Sequence, residues 1–260
     1  MAIYNITAEQ LRGAGILNSF EITAGGSSFN TLSTRFDGVN DFCKTSANYS
    51  ELDGTNKATF SFWIKPPSTI ANFQVVASTI KNSTTSHHQF QVRLATNATI
   101  QISIHSESKY IRASSTPLNL NAWNHVMFCI DTSKPLGSQR GRTFINGVDS
   151  TSATTVGGTF ATSTGALYFG ANENGHYNNF EGDIDEFAIW SGTDQRANIS
   201  EIYGGGVAVD LNSLATAPSP TTWYRMGDGD TFPTLQDTNG SADLTMTNMT
   251  SGNIITDVPT

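Results

Sequence analysis

From Thr34 onward the dominant pattern is alternation of apolar and polar residues, the period of a strand with one buried face. Residues 58–67, ATFSFWIKPP, set Phe60, Phe62 and Ile64 on one face and Ser61, Trp63 and Lys65 on the other. Residues 123–131, WNHVMFCID, repeat it with Val126, Phe128 and Ile130 opposite Met127 and Cys129. Phe90, Val92 and Leu94 alternate, as do Ile100, Ile102 and Ile104. The Ala-Thr-Asn-Ala between those runs predicts a hairpin with one apolar and one polar face. Asp37-Gly38 predicts a turn within RFDGVNDF. Asn146-Gly147 predicts a tight hairpin, because both central residues of its two-residue turn need positive φ.

The stretch 180–202, FEGDIDEFAIWSGTDQRANISEI, predicts a strand ending at Trp190 and then a capped helical turn. Strict alternation puts Ile184, Ala188 and Trp190 on one face and Phe187 and Ile189 on the other, as in a strand buried between layers. It also puts Glu181, Asp183 and Asp185 on one face, with Glu186 opposite. Asn198 and Glu201 have the spacing of a capping pair, so one short helix is expected near 198–203, ended by Gly204, Gly205 and Gly206. No repeat of blade length interrupts the strands, and two packed antiparallel sheets bury this many half-apolar strands.

The ends read differently. Thr7 and Gln10 have capping-box spacing, and Gly13 and Gly15 allow only a short helix. Ile3, Ile6, Leu11, Ile16, Leu17 and Phe20 are too few to form a core. Residues 1–30 are therefore expected to be a helical arm lying against a neighbouring subunit of a homo-oligomer, and residues 31–214 the sandwich. After an APSP linker, residues 215–260 are too short for a domain and are expected to add strands to the same sandwich.

Composition narrows the partners. Only 14% of the 260 residues are charged, against roughly 25% in ordinary globular chains, and Asn, Ser, Thr and Gly fill the gap. A net charge of −8 excludes a nucleic-acid backbone, which needs clustered Lys and Arg, and an anionic membrane surface. No apolar run is long enough to span a bilayer, and none at the N-terminus has the form of a signal peptide. Cys43 and Cys129 sit inside predicted strands and read as core thiols.

Four segments, in order, resemble the laminin-G-like, concanavalin A-like lectin superfamily: FDGVNDF, ATFSFWIKP, LNLNAWNHVMFCID with TFINGV, and ALYFG followed by FEGDIDEFAIW and ISEIYGGG. The resemblance covers residues 34–206 and implies an all-β, two-sheet antiparallel jelly-roll sandwich. The C-terminal WYRMGDGDTFPTLQDTNGSADLTMTNM resembles the strand that usually opens such a domain, here moved to the end. That arrangement, with the closing TNMTSGNIITDVP, is similar to lectin-like structural proteins of tailed bacteriophages. It implies a non-enzymatic head-decoration or fibre subunit on the outer surface of a virion. Its partners would be other virion proteins, and its ligands host or environmental glycans. The alternatives are a secreted, extracellular carbohydrate-binding module and a glycoside hydrolase.

Three constellations carry candidate chemistry. The run from Glu181 to Glu186 matches the E-x-D-x-x-E signature of laminarinase-type hydrolases, whose mechanism needs two carboxyl groups about 5–5.5 Å apart. Glu181 and Glu186 share a face only if a bulge intervenes, and Gly182 stands where those hydrolases carry an apolar residue. The same residues fit a non-catalytic G-x-I-D-E strand, which favours no enzyme. The resemblance also implies Ca²⁺, for which Asp183 and Asp185, or Asp37 and Asp41 with Asn40, are the oxygen donors; the competing use of Asp37 and Asp41 is to bond turn backbone. For a glycan, Asn172, Asn174, His176, Tyr177 and Asn178 form the loop richest in amides and aromatics. Gln91, Arg93, Gln101, Ser103 and His105 line the polar face of the hairpin.

Overall fold

The computed structural model describes residues 29–79, 89–104, 110–113, 116–135, 140–154, 159–163, 165–172 and 178–260. In chain order the strands begin with β1 (Ser33–Asp37), β2 (Phe42–Thr45), β3 (Lys57–Lys65), β4 (Gln74–Ser78), β5 (Phe90–Leu94) and β6 (Ile100–Ile104). Next come β7 (Tyr110–Ala113), β8 (Asn124–Asp131), β9 (Gly141–Ile145), β10 (Val148–Asp149), β11 (Thr151–Thr154), β12 (Tyr168–Phe169) and β13 (Asn178–Asn179). The long β14 (Glu181–Ser191) leads to the helix α1 (Ile199–Tyr203), and β15 (Thr222–Tyr224), β16 (Thr234–Leu235), β17 (Leu244–Thr247) and β18 (Ile254–Ile255) follow. The first sheet runs β10-β9-β8-β3-β14-β1-β18, with β15 also on β14. The second runs β11-β7-β6-β5-β4-β12-β2-β17-β16. All ladders are antiparallel except β13 on β4.

The core lies between the sheets, where the predicted apolar faces meet. Phe60, Phe62 and Ile64 of β3 and Val126, Phe128 and Ile130 of β8 pack against Phe90, Val92 and Leu94 of β5. Phe60 and Phe90 approach to 4.7 Å between ring centroids, and Phe169 meets Phe187 edge-on at 4.7 Å. A second apolar cluster covers the outer face of the first sheet: Met127, Cys129, Ala188 and Trp190 lie under Ile202, Leu211, Ala217 and Trp223. The middle of the first sheet, around β3, β8 and the later part of β14, is therefore buried on both faces, and β8 has no exposed residue. Both cysteines are buried and free. Asn146 and Gly147 have φ of 50° and 78°, as the hairpin turn requires, and the ring of Tyr203 closes over Gly147 where a Cβ would clash.

Two local expectations are corrected. Ile184 faces the inter-sheet core with Phe187 and Ile189, not the outer face with Ala188 and Trp190. The register with β3 shifts between Asp185 and Ala188, and Glu186 takes φ 48°. This bulge reverses the alternation beyond it. Nor do Asn198 and Glu201 form a capping pair. A 3-10 turn over Arg196–Asn198 precedes α1, and Asn198 makes no side-chain bond to the helix amides. Its amide instead donates to Gln195 Oε1 at 2.6 Å. The Glu201 carboxylate accepts from the amides of Ala215, Thr216 and Ala217, pinning the segment that covers the outer cluster.

The C-terminal segment enters both sheets: β15 pairs with β14, β17 with β2, and β18 with β1. The expected arm, residues 1–28, lies outside the described residues, and Phe29 and Asn30 belong to the sandwich.

Candidate functional site

At one end of the sandwich the connections between the sheets form a polar rim. Asparagine amides stitch it, donating to backbone carbonyls of the loops and of β1. Asn178 Nδ2 donates to Phe73 O at 3.4 Å and Asn179 Nδ2 to Val39 O at 3.1 Å. Asn248 Nδ2 donates to Asn40 O at 3.0 Å, and Asn253 Nδ2 to Arg35 O and to Asp41 Oδ2. The abundance of Asn thus has a structural use here.

Two clefts open near this rim, the first beside the outer face of the second sheet and the other beside the outer face of the first sheet. The first, about 480 Å³, is lined by Phe73, Arg93, Ala95, Thr96, Asn97, Thr99 and Gln101. Phe73 is 43% exposed, while Arg93 and Gln101 rise from β5 and β6, nearly buried in the sheet face. An aromatic ring stands here beside amides and hydroxyls. The second cleft, about 430 Å³, lies where β1, β14 and β3 end, between Pro66, Pro67 and Ser68 on one side and Asp37, Glu181 and Asn253 on the other.

Two rows of side chains cross the second cleft. In one, Arg35, Asp183 and Lys65 are direct cross-strand neighbours. Arg35 grips Asp183 with both arms, Nε to Oδ1 at 2.7 Å and Nη2 to Oδ2 at 3.0 Å. That hydrogen bond raises the Arg35 pKa against the lowering effect of its burial. Lys65 Nζ reaches Asp257 at 2.5 Å and Trp123 Nε1 donates to the same carboxylate at 3.0 Å. Burial works against ionised Asp257, yet the bonds from Lys65 and Trp123 hold its pKa below the usual range. In the next row Asp37 faces Glu181. Burial opposes the Asp37 charge, but Oδ1 accepts the amides of Val39, Asn40 and Asp41, and the net shift is downward.

Farther along β14 the carboxylates leave the surface. Asp185 Oδ2 accepts from Asn30 Nδ2 at 2.7 Å, and Glu186 accepts from Trp223 Nε1 at 2.7 Å and Arg225 Nε at 3.3 Å. Phe29 stacks on Trp223, with the Arg225 guanidinium 4.1 Å from its ring centre. Residues 29–32 form a strap over this end of the strand, held by Asp228 through Thr31 and Leu32. Burial pushes both Asp185 and Glu186 above the carboxylate range, and the neighbouring negative charge pushes Asp185 up further.

Some of the residues singled out in the sequence meet at the rim. Asp37, Asp41 and Asp183 stand at the second cleft or beside it, and Asn178 braces Phe73 of the first. Asn172 is buried, with neither amide atom bonded, and Asn174, His176, Tyr177 and His105 lie outside the described residues. Gln91 and Ser103 are buried rather than solvated. Asp185 is set apart beneath Asn30. Calcium wants 6–8 oxygens around one point. The structure does not gather Asp37, Asp41, Asp183 and Asp185 around one point: both Asp183 oxygens are held by Arg35, Asp185 lies under Asn30, Asp37 Oδ1 accepts turn amides, and Asp41 Oδ2 accepts from Asn253 and the Asp37 amide. Among the described residues no three His, Cys, Asp or Glu stand together as metal ligands. Phe73 went unnoticed in the sequence; its signal was an aromatic between Asn72 and Gln74, outside any alternating run.

Two packed antiparallel sheets with this strand order define a jelly-roll type of β-sandwich. Residues 37–200 match the model of the concanavalin A-like lectin/glucanases superfamily, and the chain belongs to that superfamily. Among solved structures it is similar to a proposed carbohydrate binding protein from Bacteroides ovatus, with a TM-score of 0.58 and 18% identity over 88% of this chain. It spans 61% of that protein's length. It is likewise similar to a native heptameric SAP-like pentraxin from Limulus polyphemus, with a TM-score of 0.54 and 15% identity, covering 85% of this chain and 96% of that one. At such identities the likeness is one of fold. No curated protein matches the chain.

Proposed function

We propose that this protein is a non-catalytic lectin-like module that binds glycans in the Phe73 cleft and is displayed on the outside of a phage particle. The exposed Phe73 ring, beside Asn97, Gln101 and the threonine hydroxyls, carries the glycan reading. An aromatic face covers the apolar side of a sugar while amides and hydroxyls meet its hydroxyl groups. The superfamily and the B. ovatus neighbour support the same reading. Glycoside hydrolysis needs two carboxyl groups facing the sugar. Within the run from Glu181 to Glu186, Asp183 is held by Arg35, Asp185 lies under Asn30 and Glu186 under Trp223, so Glu181 and Glu186, the pair that the E-x-D-x-x-E signature would use, are not presented together.

The test is a glycan array probed with the whole chain, followed by calorimetry on each hit. Phe73→Ala should abolish binding with an unchanged melting temperature. Retained affinity in that variant places the sugar elsewhere, and an empty array refutes the lectin reading. The virion placement is supported by the resemblance of the C-terminal segment and by a surface polar without being charged. Mass spectrometry of purified particles tests it, and absence of the chain leaves the secreted carbohydrate-binding module.

A further inference from the structure

The two clefts lie on either side of the rim and are joined over the end of the sandwich by shared segments of chain. Ser68, in the second cleft, and Phe73, in the first, belong to the same connection between β3 and β4. Five residues of fully extended chain reach at most about 18 Å. The other shared segment is shorter. Asn178, bonded to the Phe73 carbonyl, and Glu181, in the wall of the second cleft, are three residues apart, at most about 11 Å. Glu181 N in turn donates to Gln74 Oε1 at 3.3 Å, tying the start of β14 to the residue after Phe73.

We infer that the ligand is a linear oligosaccharide lying across both clefts, with one unit on Phe73 and a later unit between Asp37, Glu181 and the Pro66–Pro67 wall. This rests on the glycan reading above and names the class of glycan: an extended chain rather than a lone terminal sugar. The two clefts differ in character as successive subsites do. Phe73 supplies a ring face, whereas Asp37 and Glu181 supply acceptors for donor groups. They occupy directly opposed positions on β1 and β14. Asp37 Oδ1 is taken by turn amides, whereas among the described residues no cation pairs with either group and the Glu181 carboxylate, exposed at the rim, meets no donor. Hydroxyl or amino hydrogens of a sugar supply the donors that Glu181 lacks. Ser68 and Asn121 in the same cleft add polar contacts, and the proline rings bound it with apolar surface.

The experiment is calorimetric titration of the whole chain with cello-, manno- and chito-oligosaccharides of one to six units. A series that binds should gain at least about tenfold in affinity between the single unit and the tetramer. Glu181→Ala should remove most of that gain, and Ser68→Trp, which fills the second cleft, should remove it independently; thermal melting verifies that both variants fold. Equal affinity at every length overturns the inference while leaving a single-sugar site at Phe73. A length gain that survives both variants also overturns it, because the chain then leaves Phe73 in another direction. If no series binds while the array yields a hit, this inference fails and the glycan reading stands; an empty array removes both.

Discussion

Replacing Trp190 with alanine tests the double burial of the first sheet. Trp190 is 1% exposed, packs with Met127, Cys129, Leu211 and Trp223 on the outer face, and donates through Nε1 to Pro218 O at 2.7 Å. Truncating a buried aromatic costs about 3–5 kcal/mol, and the freed Pro218 carbonyl loses a bond worth about 1 kcal/mol net. A loss near 4 kcal/mol is a large part of the roughly 5–15 kcal/mol that holds a domain. At about 2–4 °C per kcal/mol for a chain of this size, the melting temperature should fall by about 8–16 °C. Circular dichroism melts and urea midpoints measure it. Trp190→Phe keeps an aromatic body and loses the hydrogen bond, so it should cost about 1–2 kcal/mol. Hydrogen exchange adds a spatial readout, because amides of α1 and of residues 207–220 should lose protection before those of β5 and β6. An alanine variant melting within about 2 °C of the parent would show that the outer cluster is not packed and would sink the argument.

Other outcomes follow from the same structure. His125 is buried between Trp63 and Tyr203, with Nε2 2.8 Å from Ser61 Oγ, and burial pushes its pKa down to about 3. The unfolded chain takes up a proton below about pH 6.5 that the folded chain refuses, so stability should fall as pH drops through that range, by up to about 1.4 kcal/mol per unit. His125→Gln should flatten this slope in denaturant titrations, and an unchanged slope refutes the assignment. Glu186 acts with the opposite sign: its raised pKa makes the folded state retain a proton that the unfolded chain gives up. Stability is therefore lost as pH rises from the ordinary carboxylate range through the folded value. Glu186→Gln should gain on the parent steadily over that window, and a constant difference counts against it. Gly182→Ala should cost about 1–3 kcal/mol, because φ is +133° and a Cβ would stand 2.4 Å from Lys65 O; equal urea midpoints would contradict that crowding.

Much of the architecture was legible from nearest-neighbour chemistry. Phe60, Phe62 and Ile64 alternate because a strand has a period of two, and Asn146-Gly147 turns because both residues tolerate positive φ. Such signals are local, and they survive any packing that keeps the strand. The bulge at Glu186 is different. Nothing between Asp185 and Ala188 announces an extra residue; it becomes favourable only because β3 pairs on both sides of it and Trp223 and Arg225 receive the displaced carboxylate. The fate of the polar faces was hidden for the same reason. Ser61, Gln91 and Ser103 stand opposite the apolar faces in the sequence, yet all are buried in the folded chain. Phe73 and Glu181 come to neighbouring clefts from segments more than a hundred residues apart, held by the bond from Glu181 to Gln74. Alternation fixes which side chains share a face of a strand. What covers that face is decided by long-range contacts, which leave no period in the sequence.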